Sequence, residues 1–408
     1  MRTTLLVGSL ATVLALTAGN SIGADLPAGR DDAAVAGVID RGALRPVPRA
    51  WIAADAAMVV DPTELVVITP DAADADSIAQ ASAPLGYSVL RRNTLGGLGQ
   101  VLLVLRIPQG RTGPAAIAEI EALNAGVTAG VNHAYPTPLT SPALARLRFA
   151  DTMMKWPSDG CVAHGAIGLI DTAIDPDVAA GLAADISSAD FRRDVDRQTG
   201  TDHGTALAAV LAGPGRLVDA RIANAVVVGD EPSLEDAAGV DDLLRALDWM
   251  VLQGVDVVNI SLAGPYNKIL DIGVQAAAAN RLIMVAAVGN DGPSSIPRFP
   301  AAFDEVVAVT AVDADQDVYQ RAVQGPHVDF AAPGVDVLLP FADPQFVTGT
   351  SVAAPFVTAL IAADPRILGP FDPGDVVTEL RERAQDIGET GQDPVFGNGI
   401  PLAAGLCS

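Results

Sequence analysis

Four segments of this sequence set reactive side chains where an apolar strand pattern stops or a small-residue helix pattern starts. They are GLIDTAID (168–175), DHGTALAAVLAG (202–213), VAAVGNDGP (285–293) and FVTGTSVAAP (346–355). Ser351 opens the last helix, where unpaired N–H groups and the positive end of the macrodipole suit a developing negative charge. A serine hydroxyl is a poor nucleophile until a base takes its proton. Histidine side chains, which as a class titrate near neutrality, can take and return one. His203 is the one histidine set in an H-G-T helix start. Asp171 would hold the other ring nitrogen, and the Asn290 amide would point at an oxyanion beside the Ser351 N–H. Each residue alone has a plainer reading, as a helix cap or a turn former. Together, in the order Asp, His, Asn, Ser, they point to acyl transfer through a serine. His133, His164 and His327 stand in no comparable setting.

The elements that must position them follow from the apolar pattern. From Cys161 onward, strand-like runs such as AIGLID, RIANAVVV, VDVVNISL, LIMVAAVGN and VVAVTAV are separated by helical stretches. These stretches are GTALAAVLAG, DAAGVDDLLRALDWMVLQG and KILDIGVQAAAANR, with the Ser351 helix last. Continuous apolar strands between helices imply an α/β fold, a parallel sheet covered on both faces. In such sheets, sites gather at the carboxyl ends of the strands. Asp171, Ser261 and Asn290 fall at such ends, and His203 and Ser351 at helix starts.

Upstream, ELVVIT (64–69), ADSIAQASAPLG, YSVLRRNTLGGLGQVLLVLRIP, PAAIAEIEALNA and GVTAGVNHAYPT give a βαββαβ order. That order suits a small α+β ferredoxin-like unit. Its GGLG run is a hairpin turn, since no helix follows to cradle a phosphate. Residues 1–24 read as a signal peptide, with Arg2 ahead of an apolar stretch too short for a spanning helix. We divide the chain into that signal, a lead-in (25–60), the α+β unit (61–138), a proline-marked connector (139–160) and the main domain (161–408). The expected location is secreted or periplasmic, with no membrane association after signal removal. The net charge of −24 argues against nucleic acid as a partner, because a phosphate backbone wants a basic surface.

The four boxes together resemble the subtilisin-like serine peptidases, in the secreted bacterial form with an N-terminal prodomain. The resemblance covers nearly all of residues 161–408. It implies a subtilisin-like sheet and an endopeptidase acting on proteins or peptides through Asp171, His203 and Ser351, with Asn290 in the oxyanion hole. It further implies that Ser261, Leu262, Ala263 and Gly264 form one wall of the primary specificity pocket. Ala287, in VAAVGN, belongs to the opposite wall. The α+β unit becomes a prodomain, an intramolecular chaperone and inhibitor of a zymogen; a permanent accessory domain is the alternative. No cofactor is required, and structural calcium is compatible with the family. Asp313, Asp315 and Asp317 mimic the head of a calcium loop but lack its Gly and Glu, which makes them a solvated turn with no metal. DPVFGNGIPLAAGL resembles the start of the family's closing helix.

Three positions depart from the family: Ala173 and Ala209, where glycine is usual, and Phe356, where histidine is common. A Cβ at 173 would be strained if the backbone there had positive φ. These departures are the support for a competing class, a weak or inactive scaffold protein with the same fold. Separately, export and an even count of two cysteines suggest a Cys161–Cys407 disulfide, with two buried thiols as the alternative.

Overall fold

The structure is a computed structural model that describes residues 60–124, 126–136, 149–193, 200–231, 234–339, 345–368 and 373–407. The signal segment and the lead-in to residue 59 lie outside the described residues, as does the connector from 137 to 148. Strands β1 (Glu64–Thr69), β2 (Ser88–Leu95), β3 (Gln100–Arg106) and β4 (Thr128–Val131) form one antiparallel sheet in the order β2-β3-β1-β4. Helices α1 (Ala72–Ser82) and α2 (Gly113–Leu123) supply Ile78, Ala116 and Ile120 to the core of this unit. That is the ferredoxin-like order expected from the βαββαβ pattern.

The chain then leaves that sheet. Strand β5 (Ala134–Pro136) pairs antiparallel with a later strand of the main domain.

The main domain is built on seven parallel strands. In chain order these are β6 (Ala166–Asp171), β7 (Ala184–Asp190), β8 (Ala220–Val226), β11 (Val257–Ile260), β12 (Ile283–Ala287), β13 (Val306–Val312) and β14 (Phe330–Pro333). A hairpin, β9 (Gly229–Glu231) with β10 (Leu234–Gly239), lies between β8 and β11. The sheet order is β14-β13-β12-β11-β6-β8-β7. Alternation along each strand sorts the side chains to two faces. Ile167, Leu169, Val285 and Val309 meet helices α3 (Asp202–Ala212) and α6 (Thr350–Ala363). Ile170, Val258, Ile260 and Met284 meet α4 (Val240–Leu252) and α5 (Lys268–Ala279).

The N-terminal unit packs on α4 and α5. Val66, Ile68, Leu95, Leu98 and Leu102 join the same apolar cluster as Leu243, Leu244 and Leu247. Leu98 donates its N–H to Asp248 at 2.9 Å, and Arg91 bridges Asp241 at 2.7 Å and Glu64 at 3.1 Å. Asn132 accepts from Val240 N–H at 2.7 Å. It thus satisfies one of the orphan donors at the start of α4, which its own N-cap, Gly239, has no side chain to reach.

Three local expectations are corrected, and the condition set for Ala173 is not met. DAAG at 236–239 belongs to β10 and not to the helix, because pairing with β5 and β9 takes its backbone groups. Residues 149–160 are no loose connector: Ala150, Met154 and Trp156 are buried in the main core. No helix is described after Glu382. The closing segment is instead a turn closed by Asp393 and Gly397, followed by a short strand, Ile400–Pro401. Ala173 is not among the described non-glycine residues with positive φ, so its Cβ carries no such strain.

Cys161 and Cys407 form a disulfide with their Cα atoms 5.2 Å apart, across 246 residues. Replacing both with serine should destabilise the domain by about 2–4 kcal/mol in denaturant unfolding, since loop entropy grows only logarithmically with length. A second expectation concerns Asp329, just before β14. Burial pushes its carboxyl up to about 7, against the Ala308 N–H that bonds it at 2.8 Å. The native state therefore holds a proton that the unfolded chain releases near pH 4, and stability falls as pH rises from about 4 to about 7. Asp329→Asn should melt above wild type at pH 8 and match it at pH 4.

Candidate active site

Asp171 is the last residue of β6, at the carboxyl edge of the sheet, and is fully buried. Its Oδ1 accepts the Thr172 N–H at 2.8 Å and lies 2.6 Å from His203 Nδ1. A carboxylate at this position could only accept, an arrangement that would place the shared proton on Nδ1. His203 Nε2 is buried and makes no hydrogen bond among the described residues. The turn after Asp171 is tied to the start of α3, because Gly204 donates its N–H to Thr172 Oγ1 at 2.8 Å. A Cβ on Gly204 would lie 2.7 Å from the Thr172 carbonyl oxygen, so only glycine lets the histidine helix approach this closely. Asn224, on the neighbouring β8, holds the same Thr172 carbonyl at 3.3 Å.

Ser351 lies in the first turn of α6, whose fourteen residues are all buried. Its carbonyl would normally accept from the N–H four residues on. That residue is Pro355, which has none. Ser261 supplies the missing donor, its Oγ bonding the Ser351 oxygen at 3.0 Å. Asn259 donates to Ser261 Oγ at 2.8 Å and accepts from Thr358 at 3.2 Å, closing a buried chain from β11 to α6.

Asn290 follows β12. Its Oδ1 accepts from both the N–H of Thr350, at 3.1 Å, and the Thr350 hydroxyl, at 2.9 Å. A backbone N–H cannot be bonded by an NH₂, so the amide is fixed with its Nδ2 donors on the opposite side. Gly289 N–H in turn donates to Thr350 Oγ1 at 3.2 Å.

Asp171 and His203 are thus joined to each other, and Asn290 to the turn that carries Ser351, beside the adjacent strands β6, β11 and β12. The expected pocket walls are more buried than the resemblance implies. Ser261 turns its hydroxyl inward to α6, Leu262 is fully buried, and Gly264 exchanges both backbone bonds with Phe299 at 2.9 Å. Ala263 is nearly buried beside Gly289, and Ala287 lies in the core on the α3/α6 face. Ser351 is itself fully buried. Phe356 packs against the Arg216 guanidinium, 4.6 Å from its ring centre. His133 bonds Asn267 at 2.9 Å, away from the site. His327 has both ring nitrogens buried and is pushed down to about 4 by burial. Asp313 accepts from the N–H groups of Asp315 and Asp317, an ordinary turn. Among the described residues, no group of three His, Cys, Asp or Glu could hold a metal ion.

The profile of the Subtilase family matches residues 164–399, more than half of the chain. The chain belongs to the subtilase family. Among curated subtilases it is 30% identical over 244 residues to the minor extracellular protease Epr of Bacillus subtilis (strain 168), covering 57% of this chain and 37% of that one. It is 33% identical over 193 residues to halolysin of Haloferax mediterranei, covering 46% and 37%. With subtilisin DY of Bacillus licheniformis it shares 27% over 249 residues, covering 56% of this chain and 86% of that one. The match thus spans little more than a third of the first two relatives. The fold is also that of fervidolysin from Fervidobacterium pennivorans, a keratinolytic enzyme related to subtilisin. The TM-score is 0.66 at 19% identity, over 85% of this chain and 61% of that one.

Thr350, Thr172, Asn224 and Thr358 escape a reading of motifs alone. The one available signal is the second hydroxyl residue in TGTS, directly before Ser351. Thr350→Val removes the hydroxyl's bonds to Asn290 and Gly289 and should lower kcat by at least about tenfold with little change in KM. Asn290→Ala should cost about 10²–10³ in kcat, the size known for a single oxyanion donor in subtilisin itself.

Proposed function

We propose that this chain is an exported serine endopeptidase, made as a zymogen, that hydrolyses peptide bonds in proteins. The observation that carries the reading is the buried Asp171–His203 contact of 2.6 Å, which leaves Nε2 as the base. His203 Nε2 takes the proton of Ser351 as its Oγ attacks the scissile carbonyl, and the imidazolium that forms is balanced by Asp171. The tetrahedral oxyanion is met by Asn290 Nδ2 and a first-turn N–H of α6, both fixed before the reaction begins. His203 then returns the proton to the leaving amine, and water repeats the sequence on the acyl group. No cofactor takes part in these steps, and a structural calcium ion is compatible with them.

The N-terminal unit is read as this enzyme's own inhibitor and folding assistant. Two features support that role: β5 pairs with β10, and Asn132 caps α4. A parallel sheet with many long-range contacts folds slowly, which gives an assistant something to do. Bound segments flank residues 137–148, so the maturation cut is expected there. Export agrees with the N-terminal signal pattern and with an extracellular relative such as Epr. Among the described residues, no helix is long and apolar enough to cross a membrane.

A fluorophosphonate probe should label the processed protein at Ser351 alone, and casein should be cleaved. Ser351→Ala should do neither and should accumulate the longer chain by mass spectrometry. Equal casein cleavage by both proteins would favour the inactive-scaffold reading, and identical N-termini would exclude self-processing.

A further inference from the structure

One polar side chain stands on the interior face of β8, and its amide reaches the turn that follows Asp171. Alternation puts Ala220, Ile222, Asn224 and Val226 on that face. Ala220 and Ile222 pack in the core that contains α3 and α6, and Asn224 is fully buried. β8 runs parallel to β6, with Asn224 level with Leu169 and Val226 level with Asp171. Asn224 Nδ2 donates to the Thr172 carbonyl at 3.3 Å. A carbonyl only accepts, and this fixes which end of the amide faces the turn. The other end, Oδ1, is buried and has no hydrogen-bond partner among the described residues. A buried amide satisfied at one end costs more than the apolar side chains used elsewhere on this face. The gain from Asn224 therefore lies in what its bond to Thr172 holds.

Thr172 touches both sides of the Asp171–His203 contact. Its N–H donates to Asp171 Oδ1 at 2.8 Å, and the same oxygen lies 2.6 Å from His203 Nδ1. Its Oγ1 accepts at 2.8 Å from the N–H of Gly204, the residue after His203. The Asp171 carbonyl is tied to the end of β8 by the Val227 N–H at 2.9 Å. The Thr172 carbonyl, one residue further on, is held by the Asn224 side chain. Given the peptidase reading above, on which this rests, we propose that Asn224 is a positioning residue for the reaction. Through Thr172 it holds Asp171 Oδ1 against His203 Nδ1.

The coupling is geometric. The N–H that orients the carboxylate and the hydroxyl that anchors the histidine helix belong to one residue. Releasing the Thr172 carbonyl lets that residue turn and disturbs both bonds together. Hydrogen bonds weaken steeply as their angle departs from linear, so a small rotation is felt at His203. Asn224 is fully buried and two residues back from the end of its strand, out of reach of a substrate. Its loss should therefore appear in kcat and not in KM.

The test compares Asn224→Ala and Asn224→Val, which remove the amide and pack differently, with Ile222→Val, a pure packing change on the same face. In the self-processed enzyme, both Asn224 variants should lose about three- to tenfold in kcat, with KM unchanged. In ¹⁵N NMR of the full chain, which needs no self-processing, neutral His203 should change from one fixed tautomer to a mixture in both. Ile222→Val should lower the melting temperature and leave kcat and the tautomer as in wild type. A wild-type tautomer in either Asn224 variant that folds would overturn the proposal. So would an equal effect of Ile222→Val, which would make Asn224 an ordinary packing residue. Fluorophosphonate labelling of wild type keeps the two readings apart. Absent labelling and cleavage remove the peptidase reading, while the tautomer comparison still decides whether Asn224 positions His203.

Discussion

A proline inside a fully buried helix sets the terms for this structure. Pro355 leaves the Ser351 carbonyl without its helical donor, and a buried carbonyl with no partner costs about 1–3 kcal/mol. The fold meets that demand from outside the helix, through Ser261 and behind it Asn259 and Thr358. These bonds run from the central strand β11 to α6, so the first turn of the helix is held to the middle of the sheet. The same turn reaches the next strand through the two bonds from Thr350 to Asn290. Ser351 and Asn290, the proposed nucleophile and oxyanion donor, are thus placed by one helix end gripped from two adjacent strands.

The histidine side is built on the same plan with different parts. Asp171 ends β6, the strand beside β11, and the Thr172 turn beyond it is bonded to the start of α3 through Gly204. Every reactive group therefore stands at the end of a regular element, with its partners on a neighbouring one. A site of this kind holds its geometry because moving one group would require the sheet to move. The N-terminal unit completes the picture with buried charge. Glu64 and Asp241 are both shielded from water, with Arg91 between them. Separating the two bodies would leave such groups to find solvent or new partners, and removing one partner from a buried pair is costly.

Much of this was legible in the sequence. Strands such as VVNI and IMVAA announce themselves because burial on both faces demands an unbroken apolar run. The four reactive residues stand out because local sequence marks each strand end and helix start. β7 (ADISSAD) gave no such signal: it lies at the sheet edge and is only partly buried, so no apolar run was needed. β10 was hidden for the opposite reason, as its alanine-rich sequence favours a helix until β5 and β9 pair with it. Thr350 and Asn290 are sixty residues apart, and Thr358 and Asn259 ninety-nine, so only the folded sheet brings such pairs together.

In the proposed mechanism Asp171 fixes the His203 tautomer and leaves Nε2 as the base. With four histidines in the chain, ¹⁵N NMR of labelled protein can assign each imidazole by substitution. Neutral His203 should carry its proton on Nδ1, leave Nε2 bare, and lose this fixed state in Asp171→Ala. A neutral His203 protonated on Nε2, or a tautomer indifferent to Asp171, would contradict it.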